Sequence, residues 1–305
     1  MAKAYISPKN VVADKTYLVN GVPLYQYFIR DHNINKLKLP AKRSKKVIGV
    51  TIHNTIDLEN VQDDGRQYTA ATCNDNMRDV FVNAYVDELG AWWNFDWTYE
   101  NWSCRDGRGN GNTATIAIEC IMDGQTGTNN EKAMDNTARL AAWLLYKYGL
   151  TANDLYTHTH WLNVVDGVKG DRDYLNTKPN PYKTCPYYII PKWSEFKKLV
   201  DTYIVKLGGK SIYKNTTTTN NPVTAKPAVP ETSLPFKVKV KIDTLNVRKN
   251  AGLNYPVVCT IKKNEVYTIV ELKQVKNNDG SIAIWGRLKS NVGFINVGNK
   301  YVKKL

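Results

Sequence analysis

A Thr-, Asn- and Pro-rich segment in the C-terminal half constrains the fold of this chain more than any other sequence feature. The stretch KNTTTTNNPVTAKPAVPETSLP lacks the periodic apolar residues that build a core. Its prolines favour an extended, semi-stiff conformation. We therefore predict a linker over 210–235 that separates two independently folded domains, 1–209 and 236–305. A length of 305 residues is consistent with two domains.

Before the linker, apolar strands and amphipathic helices alternate along the sequence. The β-branched runs VIGVTIH (47–53) and TIAIEC (115–120) predict buried strands. Apolar residues recur at intervals of three and four over 137–148 and again over 191–207, which predicts two amphipathic helices. We predict an α/β domain with a mixed central sheet flanked by helices.

After the linker, short apolar runs are separated by Gly, Asn and Asp turns. The runs predict strands over 237–242, 257–261, 266–272, 283–288 and 292–295. This pattern, over about 70 residues, is typical of a small all-β barrel. In a barrel of this size we expect most of the aromatic residues to belong to the core.

The chain is strongly basic, with a formal net charge of +14. Such a charge favours polyanionic partners in general, namely nucleic acid, anionic lipid or acidic wall polymers. A helix-turn-helix, zinc-finger or RNP motif is absent, so we expect no nucleic-acid partner. No apolar run suits a signal peptide or a membrane span, so we expect cytoplasmic synthesis without a signal peptide and no membrane insertion. The sequence leaves the oligomeric state open.

Histidine and cysteine residues indicate a metal site. The five cysteines contain no CxxC pair, and their odd number does not suit a disulfide framework, so we expect most to be buried thiols. His53 closes the first apolar strand, and His158 and His160 lie in LYTHTHW, whose alternation predicts a strand with both histidines on one face. Together with Cys185, two imidazoles and a thiolate match a catalytic zinc site, which keeps a fourth position open. Either His158 or His160 can complete this set.

Four motifs, in order along the chain, resemble those of the zinc-dependent N-acetylmuramoyl-L-alanine amidases, a family that includes many phage endolysins. TIHNT resembles the family's first zinc-ligand strand, and NAYVDELG resembles its hydrophobic strand with the turn that follows. WSCRDGRGNGNTATIAIE is similar to the family's glycine-rich loop and glutamate-bearing strand. THTHW and KTCP resemble the closing segments of the site.

The resemblance implies the residues of the site and their roles. It implies a zinc ion, Zn²⁺, held by His53, His158 and Cys185. It implies Glu119 as the general base and Lys183 as the residue that stabilises negative charge on the amide oxygen. The implied reaction is hydrolysis of the amide bond between N-acetylmuramic acid and L-alanine in bacterial peptidoglycan.

The resemblance also bears on the two neighbouring histidines. It favours His158 over His160 because two residues separate the family's ligand from an aromatic or small residue, as two residues separate His158 from Trp161. The chain departs from the family after Trp102, where a serine stands in place of a frequent histidine.

The C-terminal segment LNVRKNAGLNYPVVCTIKKNEVYTIVE resembles a bacterial SH3-type domain, with Asn-Val-Arg as a turn. The resemblance implies a cell-wall-binding module, and the basic charge suits a wall that also contains anionic polymers. Together the two resemblances imply a phage endolysin that lyses the cell after release through a separate pore. The alternatives are a bacterial autolysin of the same activity and a peptidoglycan-binding protein without catalysis.

Overall fold

The computed structural model describes residues 4–56, 64–124, 127–167, 184–213, 232–276, 282–298 and 300–305. The chain divides into two compact units, of which the first comprises Met1–Asp14 and Leu24–Pro230 and the second Lys15–Pro23 and Glu231–Leu305. The middle of the predicted linker, 214–231, lies outside the described residues. The predicted domain boundaries remain a prediction.

Helices and strands alternate through the part of the chain before residue 214. The strands are β1 (Lys15–Val19), β2 (Val22–Gln26), β3 (Gly49–Asn54), β4 (Ala84–Val86), β5 (Ala91–Trp93), β6 (Thr115–Cys120) and β7 (Leu155–Thr157). The α-helices are α1 (Gly65–Cys73), α2 (Asn110–Ala114), α3 (Thr128–Lys147), α4 (His158–Val165) and α5 (Trp193–Lys206). Both predicted strands and both predicted helices are present, and α3 begins earlier than its apolar periodicity predicts.

The sheet of the first unit is mixed, as predicted. Its strand order is β7-β3-β6-β4-β5-β2. The pairs β3–β6, β3–β7, β4–β6 and β2–β5 are parallel, whereas β4–β5 is antiparallel. The two predicted strands, β3 and β6, lie side by side in the middle, with His53 in register with Glu119. Partners in register on neighbouring strands project from the same face of the sheet, so both side chains share one face.

Helices cover this sheet and complete its core. Helix α3 contacts β3, β4 and β6 and also packs on α5, while α1 contacts β4 and β5. A cluster of buried residues joins α1 to the sheet and includes Ala70, Tyr85 and Ala117. Because alternate residues of β6 face opposite ways, Ala117 and Glu119 share this face while Ile116 and Ile118 face the other side.

The expectation of a strand containing both His158 and His160 is wrong. Strand β7 ends at Thr157, and helix α4 begins at His158. The side chain of Thr157 caps the helix, because its Oγ1 accepts a hydrogen bond from the backbone N–H of His160 at 2.9 Å. Threonine is a favoured capping residue, and the cap here overrides the short alternating pattern. Residues two apart in a helix do not share a face.

The second unit is built from antiparallel strands. They are β8 (Thr232–Ser233), β9 (Phe236–Val240), β10 (Thr244–Arg248), β11 (Val257–Lys262), β12 (Val266–Lys276), β13 (Ile282–Leu288), β14 (Phe294–Asn296) and β15 (Val302–Lys304). Seven of them form a sheet in the order β11-β10-β14-β13-β12-β9-β15, and β8 pairs with β1. All five predicted strands are present. Asn-Val-Arg is not a turn, because it lies within β10. Strands β8, β10 and β15 were not predicted.

The core of the second unit is aliphatic and aromatic. Val238, Val247, Ile269 and Ile295 belong to its main cluster, with Tyr267 and Tyr301 partly buried against it. Trp285 and Phe294 form a second buried cluster. The expectation that most aromatic residues lie in the core is therefore confirmed.

Two further expectations concern the cysteines and membrane-spanning helices. Four of the five cysteines are buried free thiols, as expected, and Cys259 is exposed. None of the helices in the described part of the chain has the length and apolar character that crossing a membrane requires.

Candidate metal centre and catalytic cleft

Two histidines and one cysteine meet in the first unit. The ligand atoms of His53, His158 and Cys185 all lie within 4.8 Å of one another, and the three residues are buried. Cys185 Sγ is 3.7 Å from His53 Nδ1, and the two imidazole rings have centroids 4.7 Å apart. Two imidazoles and one thiol are the donor set of a three-ligand zinc site, so these residues fit the metal.

The start of helix α4 separates the roles of the two neighbouring histidines. His158 is the first residue of the helix and belongs to the group. His160 packs its ring against Tyr156 and Trp161, with centroids 5.0 and 4.6 Å away. Trp161 in turn donates from Nε1 to Thr51 Oγ1 on β3 at 2.8 Å, which fixes the helix against the sheet. The structure thus brings His158, and not His160, to His53.

Thr159 holds the segment that carries Cys185. Its hydroxyl donates to the carbonyl oxygen of Cys185 at 3.1 Å and accepts from the backbone N–H of Cys185 at 3.0 Å. The backbone N–H of Thr159 donates to the same carbonyl at 3.0 Å. Further along, Asn54 Oδ1 accepts from the N–H of Tyr188 at 3.1 Å. Residues adjacent to His53 and His158 therefore fix the third member of the group.

Ser103 and Asn101 determine which nitrogen of His53 faces Cys185. Ser103 Oγ lies 3.2 Å from His53 Nε2 and 2.8 Å from Asn101 Oδ1. An amide oxygen only accepts, so the single hydroxyl proton of Ser103 goes to Asn101. Ser103 Oγ must then accept from Nε2–H of His53. The lone pair of His53 is left on Nδ1, the atom nearest to Cys185 Sγ.

The orientation of the Asn101 amide is itself fixed by the backbone. Asn101 Nδ2 donates to the carbonyl oxygens of Gly111 and Thr115 at 2.9 and 2.8 Å, so its oxygen points to Ser103. A Cβ atom on Gly111 would lie only 2.7 Å from Cys104 Cβ and from Trp161 Cγ. Glycine at this position of the loop therefore permits close packing beside His53.

A cleft of about 270 Å³ opens at this group. Its lining residues are His53, Asn54, Ile56, Val80, Ser103, Glu119 and Cys185. Glu119 lines this cleft from β6, the strand next to β3, where it is partly exposed after four buried residues. A partly exposed carboxylate thus shares the cleft with two of the three metal-binding candidates.

A comparison with known protein families finds one match, which covers part of the chain. Residues 43–186 match the family model of N-acetylmuramoyl-L-alanine amidase. The matched segment contains His53, Glu119, His158 and Cys185, and also Ser103. No curated protein sequence matches the chain.

Several solved structures are similar to part of this chain. PlyL is 21% identical over 57% of this chain and 94% of its own, with a TM-score of 0.45. A mutant endolysin from Bacillus subtilis is 22% identical over 59% of this chain and 99% of its own, with a TM-score of 0.46. The Staphylococcus aureus hydrolase AmiA in complex with its ligand is 19% identical over 59% of this chain and 92% of its own, with a TM-score of 0.39.

The other residues in and around the candidate site differ in how well the sequence predicted them. Lys183 lies outside the described residues. Ser103 stood out in the sequence only as a departure from the family, and Asn101 and Thr159 were not foreseen. Thr159 is adjacent in sequence to the predicted ligand His158, and this adjacency is the signal that could have pointed to it.

A second cysteine lies close to His53. Cys104 Sγ is 4.0 Å from His53 Nε2, on the side opposite Cys185. Burial raises the pKa of the Cys104 thiol, and the nearby carboxylate of Asp106 raises it further. The thiol therefore stays neutral and acts as a packing group beside the imidazole.

Proposed function

We propose that this protein is a zinc-dependent N-acetylmuramoyl-L-alanine amidase that hydrolyses the amide bond between N-acetylmuramic acid and L-alanine of peptidoglycan. One observation carries this proposal: His53, His158 and Cys185 meet within 4.8 Å beside a cleft that also contains Glu119. Their position within a segment that matches the amidase family supports the choice of reaction.

The proposed roles follow from the donor set and the cleft. His53, through Nδ1, together with His158 and Cys185 would hold the zinc ion. When bound, zinc supplies Lewis acidity, which polarises an amide carbonyl and acidifies water. Glu119 would take the proton from the attacking water and deliver it to the leaving amine. Lys183 would stabilise the oxyanion, a contribution typically on the order of a hundredfold in rate.

The second unit completes the proposal. We assign it as an SH3-type barrel that binds the cell wall, because its strands are all antiparallel and its sequence resembles that of such modules. Binding an insoluble substrate through a second unit raises the effective concentration of the catalytic cleft. A protein with a catalytic unit and a wall-binding unit suits an endolysin, and we propose that it reaches the wall after release from the cytoplasm.

The test is a digest of purified peptidoglycan with the intact protein, with and without a chelator. New amino termini of alanine and new reducing sugar ends are measured in the same samples. We expect alanine termini that disappear on chelation and return when zinc is restored. Reducing ends without alanine termini would identify a glycosidase, and the absence of both products would favour a binding protein without catalysis.

A matched pair of variants tests the base. Glu119→Gln should retain zinc and lose most of the turnover, because the amide cannot accept the proton of water. Glu195→Gln, an exposed position on α5, is the control and should keep full activity. Near-complete activity of Glu119→Gln would refute the assignment of Glu119.

A further inference from the structure

Positive charge is concentrated in the second unit. Lys15–Pro23 and Glu231–Leu305 together contain fifteen Lys and Arg residues and five Asp and Glu residues, a net charge of +10 out of +14 for the whole chain. This unit is much the smaller of the two. The basic character of the protein is therefore mainly a property of the all-β unit, and not of the unit with the candidate metal centre.

Part of this charge forms a row on one face of the sheet. In β9, Val238 and Val240 are buried, so the alternating Lys237 and Lys239 project from the opposite, outer face. On the neighbouring strand β15, Lys303 is in register with Lys239. We call Lys237, Lys239 and Lys303 the lysine row.

The lysine row is unfavourable for the isolated protein. Like charges directly opposite each other on antiparallel strands repel, and Lys239 and Lys303 are such a pair. On the other side, β12 places Val266 and Thr268 next to Lys239 and Lys237, so the paired strand supplies no carboxylate. Among the ion pairs of the described residues, none includes a member of the row. An anionic ligand would relieve this repulsion.

The arrangement also restricts the kind of anion. Residues two apart on a strand are about 6.8 Å apart, so Lys237 and Lys239 would contact successive charges of an extended chain. Single-stranded nucleic acids usually require aromatic side chains on which bases stack. The residues beside the row are Val266 and Thr268 on β12 and Leu305 after β15, and none of them is aromatic. A linear polyanion without bases fits this surface better than a nucleic acid.

We propose that the lysine row binds a linear phosphodiester polymer of the bacterial cell wall. The wall location rests on the proposed function, whereas preference for a linear polyanion rests on the row alone. Contact with this polymer would hold the protein at the wall independently of the peptide and glycan that the cleft recognises.

The test measures binding of the full-length protein to purified, delipidated poly(glycerol phosphate) over a series of salt concentrations. The variant K237Q/K239Q/K303Q is compared with K249Q/K262Q/K263Q, which removes the same charge from exposed lysines on or next to β10 and β11. We expect the row variant to lose at least tenfold in affinity. The slope of log K against log salt should fall by about 2, since each phosphate contact of a single strand contributes about 0.7.

The outcomes separate specific binding from general attraction. The control variant should lose much less affinity. The row variant should melt no lower than the wild type, because removal of like charges relieves repulsion. Equal losses in the two variants, or none in the row variant, would overturn the proposal. Tighter row-dependent binding to single-stranded DNA or to anionic lipid vesicles than to the polymer would also overturn it.

A wall-binding experiment distinguishes this inference from the proposed function. Walls stripped of phosphodiester polymers with hydrofluoric acid should bind the wild type less tightly and should no longer discriminate between it and the row variant. Equal binding to stripped and untreated walls would contradict the inference alone. A failure to release alanine termini would contradict the amidase alone. Release of alanine termini from soluble peptidoglycan fragments should be the same in the row variant and the wild type.

Discussion

Replacement of Ser103 by alanine should weaken zinc binding through the tautomer of His53. The substitution removes the hydroxyl oxygen 3.2 Å from Nε2, which accepts the Nε2 proton and so leaves Nδ1 free to bind metal. Asn101 Oδ1 keeps a hydrogen bond from the backbone N–H of residue 103 at 3.2 Å, so the loss falls on the histidine. Loss of such a partner typically costs tenfold to a hundredfold in metal affinity, or about 1.4 to 2.7 kcal/mol.

Two measurements check this prediction. Competition with a chromophoric chelator gives the zinc dissociation constant of each variant. The ¹⁵N chemical shifts of the His53 ring in the metal-free protein give its tautomer, which a general loss of stability would not alter. We expect the wild type to carry its proton on Nε2 and Ser103→Ala to show a mixture of tautomers.

Two further variants serve as controls. Ser103→Thr retains the hydroxyl and should retain most of the affinity. Ser194→Ala, at an exposed position on α5, should match the wild type in both measurements. If Ser103→Ala binds zinc as tightly as the wild type, with unchanged ring shifts, the reasoning about this hydrogen bond is refuted.

Three other changes have outcomes that follow from the structure. Thr159→Val removes two hydrogen bonds to Cys185 at nearly constant side-chain volume. Zinc affinity in the chelator assay should fall about tenfold. An unchanged affinity would show that other contacts hold Cys185. Gly49→Ala would place Cβ 2.2 Å from the carbonyl oxygen of Asp154. The free energy of unfolding measured in urea should therefore fall by about 1 to 3 kcal/mol or more. A variant as stable as the wild type would contradict that geometry. Burial raises the pKa of Asp87 from 3.8 to about 6, so the folded state binds this proton more tightly than the unfolded state. The contribution of the protonated carboxyl to the free energy of unfolding is lost as pH rises through 6. The unfolding free energy of the wild type minus that of Asp87→Asn should fall by about 2 kcal/mol between pH 4 and pH 7, and a difference independent of pH would argue against the shifted pKa.

The sequence predicted those strands and helices whose apolar pattern is contained within a few neighbouring residues. The β-branched runs that became β3 and β6 are buried strands because their side chains require a dry surface on both faces of the sheet. His53 and Cys185 could be selected by residue type, since imidazole and thiolate are the usual ligands of zinc. The strand predicted over His158 and His160 was wrong because a short alternating pattern is a weaker signal than a threonine that caps the start of a helix.

Contacts between distant residues could not be predicted in the same way. Ser103 meets His53 across 50 positions, and Thr159 meets Cys185 across 26. Each contact depends on how the glycine-rich loop and helix α4 pack against the sheet. The sequence contains no local preference that encodes such distances, because they result from the packing of several elements together.

By itself, the sequence determined the α/β character of the first unit, the run of short strands in the second and the identity of the metal-binding candidates. These follow from the period of apolar residues and from the chemistry of single side chains. The tertiary structure decided that His158, and not His160, joins the group, that Ser103 orients His53, and that Lys239 lies opposite Lys303. The reason is physical: strand register and helix start determine which way a side chain points, and both depend on packing and hydrogen bonds beyond the local sequence.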